Sequence, residues 1–364
     1  MVNLVIAQYT IATTPKYNFP RPTMDTTVPQ QFTELSLNSL KQVQNQTFQL
    51  NQQDPSQNSQ REIHFQTLQL NAKPILLKPK HEESTVAAVD TSTIKIGETT
   101  TGMLIAVRGA NVWKQDRSYT YARFGPFIFH ITEENKNDVY ATLQRAYFYG
   151  LCAESHHSFP NLLQMPMRIA GLLERWLQAM LSKTITSGQI LFDGSLTSGT
   201  ADTPTSLLKE ILASARRRDS TILAFSKMTS LRTNGQLITD LPNVHKPPFL
   251  LETSGLKPKP PTVLLGDVFV ARLTRGSYAF RLDIDREISH EQKIGAVEKL
   301  LGNDLVSQSY PETLRLAHIL CTFTANEVIA MQHFTTRRYG LGLVTRPDMH
   351  KLLFGPFGRG EYCS

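Results

Sequence analysis

Residues 188–196, Gly-Gln-Ile-Leu-Phe-Asp-Gly-Ser-Leu, constrain the fold of this chain more than any other stretch. Residues 190–192 are aliphatic and aromatic in succession, which is typical of a central strand that is covered on both faces. Asp193 ends this run, and Gly194 lets the backbone turn or approach a ligand closely. The stretch therefore predicts a buried strand that ends in a carboxylate, although by itself it is also explained by a structural Asp-Gly turn.

The order of strand and helix patterns from residue 84 onward predicts an α/β fold. Strand patterns cover residues 84–90, 102–113, 119–131, 188–193 and 221–225, and helical patterns cover 135–150, 162–183 and the segment that Thr203-Pro204 opens. A hairpin over 268–284 and helices after Ser289 and Tyr310-Pro311 follow. Three antiparallel strands followed by alternating helices and strands form the ribonuclease H type of layout, a mixed sheet flanked by helices.

Three carboxylates are expected to converge at one end of this sheet. In the ribonuclease H layout the first and fourth strands are neighbours, which would place Asp90 beside Asp193. Glu174 borders the apolar face of the helix over 162–183, where an ionised carboxylate needs a partner. No cation lies within helical reach of Glu174, so the alternatives are a solvated side chain or a metal ligand. Oxygen ligands of this kind suit Mg²⁺ or Mn²⁺.

Three further residues are candidates for the same site. Lys227 follows the strand over 221–225, so its ammonium group can contact a scissile phosphate, or it is simply a solvated lysine. Tyr310 and His318 are eight positions apart, which leaves them about 80° apart around a helix and lets both face the carboxylates. Imidazole is a good ligand for Mn²⁺, and the alternative for His318 is a hydrogen-bonded core residue.

The charge and the cysteines indicate the kind of partner and the compartment. The net charge is +7, and arginines are clustered, Arg337-Arg338 among them. Such clusters can contact the phosphates of DNA. The predicted DNA-binding residues are Arg216, Arg217, Arg218, Arg272 and Arg281.

Three widely spaced cysteines with no Cys-x-x-Cys pair indicate neither a disulfide framework nor a zinc site. With 40% hydrophobic and 19% charged residues, no apolar run of 18 and no signal-peptide pattern, the chain is expected to be cytoplasmic and free of membrane spans.

Five short motifs follow one another in a fixed order between residues 84 and 335. They are Val-Asp90-x-Ser, Leu-Leu-Glu174-Arg, Leu-Phe-Asp193-Gly-Ser-Leu, Ser-Lys227 and Tyr310-Pro-x-x-Leu-x-x-Ala-His318. This set resembles the NurA family of DNA-repair nucleases. The resemblance implies an RNase H/PIWI-like fold and a manganese-dependent 5′ to 3′ exonuclease that also cuts single-stranded DNA in end resection and double-strand break repair.

The resemblance also implies roles for residues and partners. Asp90, Glu174, Asp193 and His318 would be ligands of Mn²⁺, with Mg²⁺ as the alternative ion, and Tyr310 and Lys227 would complete the catalytic set. Such enzymes are homodimers that dock on the hexameric HerA-type ATPase. Two alternatives stay open: a non-catalytic RNase H-like DNA-binding scaffold, and a PIWI-like RNA-guided binder, for which this chain is short.

The sequence predicts three segments. Residues 1–83 are rich in polar residues and form an N-terminal extension, partly helical or flexible, with one amphipathic helix over 32–50 that is loosely attached or docks on a partner. Residues 84–335 form the nuclease domain, with a proline-rich insertion over 233–262. Residues 336–364 form a C-terminal docking segment, because Phe354, Pro356 and Phe357 lie in a glycine-interrupted apolar stretch.

Overall fold

A computed structural model of the chain describes residues 30–41, 47–50, 69–70, 73–147, 160–200, 203–233, 236–240, 246–256, 258, 260–276, 278–340 and 342–345. The strands are Thr47–Leu50 (β1), Gln69–Leu70 (β2), Ile75–Leu76 (β3), Val86–Thr99 (β4), Gly102–Gln115 (β5), Ser118–Thr132 (β6), Gln189–Asp193 (β7), Thr197–Ser198 (β8), Thr221–Ser226 (β9), Arg232–Thr233 (β10), Gln236–Leu237 (β11), Phe249–Ser254 (β12), Val263–Leu264 (β13), Gly266–Arg272 (β14), Phe280–Asp285 (β15), Val306–Ser307 (β16), Tyr310–Pro311 (β17) and Gly342–Thr345 (β18). The helices are Gln30–Lys41 (α1), Lys136–Tyr147 (α2), Met165–Thr184 (α3), Thr205–Arg216 (α4), His290–Asn303 (α5), Glu312–Cys321 (α6) and Ala325–Tyr339 (α7).

The fold is α/β, with one large mixed sheet flanked by helices. Strands run in the order β6-β5-β4-β7-β9-β15-β14-β12 through its centre. β4, β5 and β6 form the predicted antiparallel meander, and β7 joins β4 in parallel, so the predicted pairing of the first and fourth strands is confirmed. β9 extends the parallel part, and the predicted β14–β15 hairpin continues the sheet in antiparallel fashion.

Alternating side chains of the central strands form a hydrophobic core on each face of the sheet. On β4, Ala87 and Val89 belong to the core under α2, α3 and α4, whereas Val86 and Ala88 belong to the core under α5 and α6. Each apolar side chain that is fully removed from water stabilises the fold by about 2 kcal/mol, so both helical layers are held firmly. The site residues on a central strand are therefore assigned to one face by their register alone.

β4 is longer than the sequence predicts. The predicted strand ends at Asp90, but the observed one continues to Thr99, and Asp90 lies within it. The continuation is explained by the β-branched residues Thr91, Thr93 and Ile94, each of which pairs with a residue of β5. The pairing of β7 with β4 nevertheless stops at Val89 and Phe192, so Asp90 is the first residue beyond that pairing.

The described parts of the N-terminal and C-terminal segments pack on the sheet. α1 lies on β6, where the Ser36 hydroxyl donates to the Ile128 carbonyl and the Ser39 hydroxyl accepts from the His130 amide. β1 pairs with the far end of β4 and, in parallel, with β18. The predicted helix over 32–50 ends at Lys41 instead.

The proline-rich region is not only a loop. Its apolar Phe-Leu-Leu run begins β12, which pairs with β14 in the main sheet. The C-terminal Phe354, Pro356 and Phe357 lie outside the described residues. Among the described residues, no helix is long and apolar enough to cross a membrane.

Candidate active site

Asp90 and Asp193 lie side by side on neighbouring parallel strands. Val89 of β4 is the register partner of Phe192 of β7, and the two aspartates are the next residue of each strand. Each aspartate lies two positions after a residue of the core under α5 and α6, and side chains two positions apart on a strand point to the same face. Both aspartates therefore lie on that face of the sheet. Asp90 is buried and Asp193 is partly buried. The predicted pairing of these two carboxylates is therefore present in the structure.

Glu174 reaches the same end of the sheet from the opposite face, on α3. A close approach of α3 to β5 makes this possible, because a Cβ atom at Gly109 would lie 2.5 Å from Leu177 Cδ1. The Gln178 amide donates to Glu174 Oε1 over 2.9 Å, one helical turn away. Burial, together with the negative charges of Asp90 and Asp193, raises the pKa of Glu174 to about 7, against the opposing effect of the neighbouring Arg175. The three carboxylates are thus electrostatically coupled.

His318 contacts Asp90 from α6. The distance between His318 Nδ1 and Asp90 Oδ2 is 2.7 Å, and the other oxygen, Oδ1, accepts from the Thr91 amide over 2.7 Å. The His318 side chain is 53% exposed, so it lies at the rim of the site and is not the core histidine of the alternative interpretation. Its imidazole is positioned to hold Asp90 in place, to ligate a cation or to exchange a proton with solvent.

Lys227 forms an ion pair with Asp193. The two side chains meet over 2.6 Å directly after β9, where the chain leaves the sheet beside the end of β7. Burial raises the pKa of the Asp193 carboxyl, while the hydrogen bond and the charge of Lys227 lower it. The ammonium group therefore neutralises part of the negative charge that two adjacent aspartates create. It is also partly exposed, so it remains accessible to an anionic ligand.

Tyr310 lies in β17, before α6 begins at Glu312, so it does not share a helix with His318 as the sequence predicts. Its ring contacts the rings of Phe225 and Phe280, at centroid distances of 6.2 and 5.4 Å, and Lys227 Nζ lies 5.7 Å from its centroid. Within the described residues its buried hydroxyl has no hydrogen-bond partner. Burial and the charges of Asp193 and Asp90 raise the pKa of this phenol, so it stays protonated and can donate a hydrogen bond.

The loop after β7 is held by a buried ion pair. Gly194 has a φ of 116°, a backbone conformation that favours glycine, and its amide donates to the Phe225 carbonyl over 2.8 Å. Two residues later, the Leu196 amide donates to Asp283 Oδ2 over 3.0 Å. Arg281 binds both oxygens of Asp283 over 2.7 Å. The turn that follows Asp193 is thus fixed by neighbouring strands, which fixes the direction of that carboxylate.

The residues at this end of the sheet fit a hard divalent cation. Asp90, Asp193 and Glu174 offer carboxylate oxygens, and His318 offers a ring nitrogen beside Asp90. The raised pKa of Glu174 and the ion pair of Asp193 with Lys227 agree with a cluster of negative charge that favours a cation. Mg²⁺ and Mn²⁺ accept such ligands, and imidazole favours Mn²⁺ of the two.

The predicted DNA-binding arginines do not join this cluster. Arg216, Arg217 and Arg218 precede β9, so they lie at its opposite end, about 17 Å from Lys227 for a strand of this length. Arg216 forms ion pairs with Asp285 and Glu287, and Arg217 with Glu210.

Arg272 and Arg281 do lie at the end of the sheet that carries the carboxylates, but both are buried. Arg272 donates to the Gly276 carbonyl, and Arg281 binds Asp283. This burial favours a structural role for these two arginines over a DNA contact.

Sequence reasoning assigned no role to four residues near the site. Gln178 and Arg175 form a chain of hydrogen bonds that ends on Glu174, and the i, i+4 spacing of Gln178 could have revealed it. Arg315 lies with its guanidinium carbon 5.9 Å from the Tyr310 ring centroid, three residues before His318 on α6. Cys321 follows His318 at helical spacing and faces Asp90.

No protein-family model matches the sequence, and no curated protein matches it. The similar solved structures include the following two. One is the NurA nuclease from Sulfolobus solfataricus, with 14% identity, coverage of 74% of this chain and 88% of that chain, and a TM-score of 0.44. The other is endonuclease V from Bacillus subtilis, with 13% identity, coverage of 86% and 96%, and a TM-score of 0.33. At these TM-scores neither similarity carries an argument about function, so the chemistry of the chain is inferred from its own side chains.

Proposed function

We propose that the chain is a divalent-metal-dependent nuclease that hydrolyses phosphodiester bonds in DNA. One observation carries the proposal: Asp90, Asp193 and Glu174 come from two strands and a helix to one end of the sheet, where burial, together with the charges of the two aspartates, raises the pKa of Glu174 to about 7. A purely structural cluster of this kind would cost stability with no return, whereas perturbed carboxyls in a group are typical of catalytic sites. Lys227 adds a cationic group beside Asp193, and His318 adds an imidazole beside Asp90.

The side chains divide the chemistry among them. Asp90, Asp193, Glu174 and His318 would hold the ion, with Mn²⁺ preferred over Mg²⁺. When bound, such an ion stabilises charge on the phosphoryl oxygens and lowers the pKa of a coordinated water. Lys227 is close enough to Asp193 to bind a non-bridging phosphate oxygen beside it. Tyr310 offers a protonated hydroxyl within reach of the same charges.

The finer assignment rests on the motif resemblance. We infer 5′ to 3′ exonuclease activity together with cleavage of single-stranded DNA, in the context of end resection and double-strand break repair. We also infer a homodimer that docks on a HerA-type hexameric ATPase, because the motif resemblance implies both. Light scattering of the purified chain, alone and mixed with such an ATPase, tests the assembly separately from the chemistry.

The test of the nuclease activity uses aspartate to asparagine variants. Asp90→Asn and Asp193→Asn should each lower the rate of cleavage of end-labelled DNA in Mn²⁺ by more than about 100-fold, because each loses a charged ligand. Asp219→Asn is a matched control at the opposite end of the same strands. Asp219 has a φ of 52°, which asparagine tolerates, so this variant should keep the wild-type rate.

Chelation and melting complete the test. EDTA should abolish cleavage, and Mn²⁺ should restore it. Both site variants should melt no earlier than the wild-type protein, because removing one of two adjacent carboxylates relieves repulsion. If the wild-type protein binds DNA but never cuts it in either metal, the non-catalytic scaffold is the correct assignment.

A further inference from the structure

A cysteine lies against the two residues that connect α6 to the carboxylates. Ligand atoms of Asp90, His318 and Cys321 all lie within 4.8 Å of one another. His318 and Cys321 are three residues apart on α6, so they share one face of the helix. α6 packs on β4, and this face carries both side chains to Asp90.

The sulfur changes the kind of ion that this group can hold. A thiolate, an imidazole and a carboxylate are the ligands that proteins use for Zn²⁺, commonly three of them with a fourth position left to water. Mg²⁺ and Mn²⁺ prefer oxygen and do not select for sulfur. The spacing of the three cysteines could not reveal this site, because only one of its three ligands is a cysteine.

We propose that Asp90, His318 and Cys321 form a Zn²⁺ site that competes with the catalytic ion. Both ions would use Asp90 and His318 as ligands. Zn²⁺ would add the Cys321 sulfur, whereas the catalytic Mn²⁺ or Mg²⁺ would add Glu174 and Asp193. Occupation by Zn²⁺ would therefore inhibit cleavage. That consequence rests on the proposed function, whereas Zn²⁺ binding itself does not.

The geometry needs only a small adjustment. Tetrahedral Zn²⁺ with bonds of about 2.0 to 2.3 Å places its ligand atoms about 3.3 to 3.8 Å apart. His318 Nδ1 and Asp90 Oδ2 are 2.7 Å apart and would separate slightly, while the sulfur would move closer. The exposed imidazole has room to move.

The sulfur begins as a thiol. It donates a hydrogen bond to the His318 carbonyl over 3.3 Å, and burial, followed by the Asp90 charge, raises its pKa. Zn²⁺ binding forms the sulfur–zinc bond, releases the thiol proton to solvent and transfers no electrons.

Cobalt spectroscopy provides the direct test. The variant Cys152→Ser/Cys363→Ser leaves Cys321 as the remaining cysteine. Titrated with Co²⁺ alone, this protein should develop a thiolate-to-cobalt charge-transfer band in the near ultraviolet, and Zn²⁺ should remove the band by displacement. Because the band requires a sulfur ligand, its absence in this folded protein would overturn the proposal without any further variant.

Two substitutions at Cys321 confirm the assignment. Added to the same background, Cys321→Ser and Cys321→Ala should each remove the cobalt band and weaken Zn²⁺ binding, measured by calorimetry, by at least about 10-fold. Melting curves check that each variant is folded. Equal Zn²⁺ affinity with and without the sulfur would contradict the site.

Inhibition is measured last, relative to the Mn²⁺ rate of each protein. Zn²⁺ should inhibit the background protein at lower concentration than the Cys321→Ser variant. If the chain cuts no DNA at all, the nuclease proposal fails, yet the cobalt spectrum and the zinc affinity still decide the site.

Discussion

At the scale of single residues, the candidate site contains three carboxylates that the stability of the fold does not require. Asp90 is bound by the imidazole of His318 and Asp193 by the ammonium group of Lys227, whereas the described structure gives Glu174 only the amide of Gln178 and the nearby charge of Arg175. Residue types and element order were enough to predict these carboxylates. The hydrogen bonds that orient them depend on how α3 and α6 pack, which no local sequence pattern encodes.

Glu174→Gln should stabilise the metal-free protein at neutral and alkaline pH. The pKa of Glu174 is about 7 in the folded chain and 4.5 in the unfolded chain. Glu174 is therefore protonated in both states well below pH 4.5, and the free energy of unfolding falls as pH rises from 4.5 toward 7. A shift of that size corresponds to about 3 kcal/mol, and about 2 kcal/mol is expected here because the residue retains some solvent contact. Urea denaturation in EDTA at pH 5 and pH 8 measures the difference, which should be several times larger at pH 8 than at pH 5.

Added metal should make the wild-type protein more stable than Glu174→Gln. Mn²⁺ should stabilise the wild-type protein more than Glu174→Gln, because the variant has one charged ligand fewer. Glu210→Gln is the control: the pKa of Glu210 is lowered by its hydrogen bond from Arg217, so this substitution should slightly destabilise the protein at both pH values. An equal response of Glu174→Gln and wild type to Mn²⁺ would remove Glu174 from the ligand set.

At the scale of elements, the sequence predicted the capping box of α5 and the pairing of β4 with β7, but not the full length of β4 or the strand β12. The capping box of α5, in which Ser289 and Gln292 bond each other's backbone amides, is visible in four residues of sequence. The length of β4 and the strand β12 depend on partners far along the chain, β5 and β14. Proline in the surrounding sequence concealed β12, because strand pairing outweighed the local preference for a loop. The boundaries of the three predicted segments stay predictions.

Asp283→Asn should destabilise the strand pair that supports the catalytic loop. Asp283 is fully buried, and its carboxylate holds both Arg281 and the Leu196 amide. Removal of the negative charge opposite a buried guanidinium costs about 3 kcal/mol. Because residues 194–196 also follow Asp193, the DNA cleavage rate should fall with the free energy of unfolding.

Denaturation curves and cleavage rates measure these two effects. The exposed Asp240→Asn serves as the control and should change neither quantity. An Asp283→Asn protein with unchanged stability and tighter DNA binding would instead support the DNA-binding role that the sequence suggested for Arg281.

At the scale of the whole molecule, the described terminal segments meet on one side of the sheet. The strands β4, β5 and β6 are longer than the strands that come later in the chain, and α1 and α7 cover their protruding ends. Leu40 of α1, Ile96 of β4 and Met331 of α7 belong to one small core. β18 then pairs with β1, so segments from both halves of the chain stabilise the same region.

A buried ion pair fixes α7 to this region. Arg108 of β5 is almost fully buried and binds Glu327 over 2.8 Å, and Arg123 of β6 binds the same carboxylate over 3.1 Å. Burial alone would raise the pKa of Glu327, but the hydrogen bonds from Arg108 and the Thr324 amide, with the charges of both arginines, outweigh it and lower the pKa to about 2. Glu327 therefore connects α7 to two strands.

Glu327→Gln should destabilise the protein by about 2 kcal/mol at pH 7, because it leaves a buried arginine without its charged partner. The folded-state pKa is depressed, so the contribution of Glu327 is complete above pH 4.5 and is lost as pH falls from 4.5 toward 2. Urea denaturation at pH 7, 4.5 and 3 should therefore show a difference that shrinks with acidity. Glu133→Gln breaks an exposed pair with Lys136 and should have little effect at any of these pH values. A loss in Glu327→Gln that is as large at pH 3 as at pH 7 would show that shape, and not charge, holds α7 on the sheet.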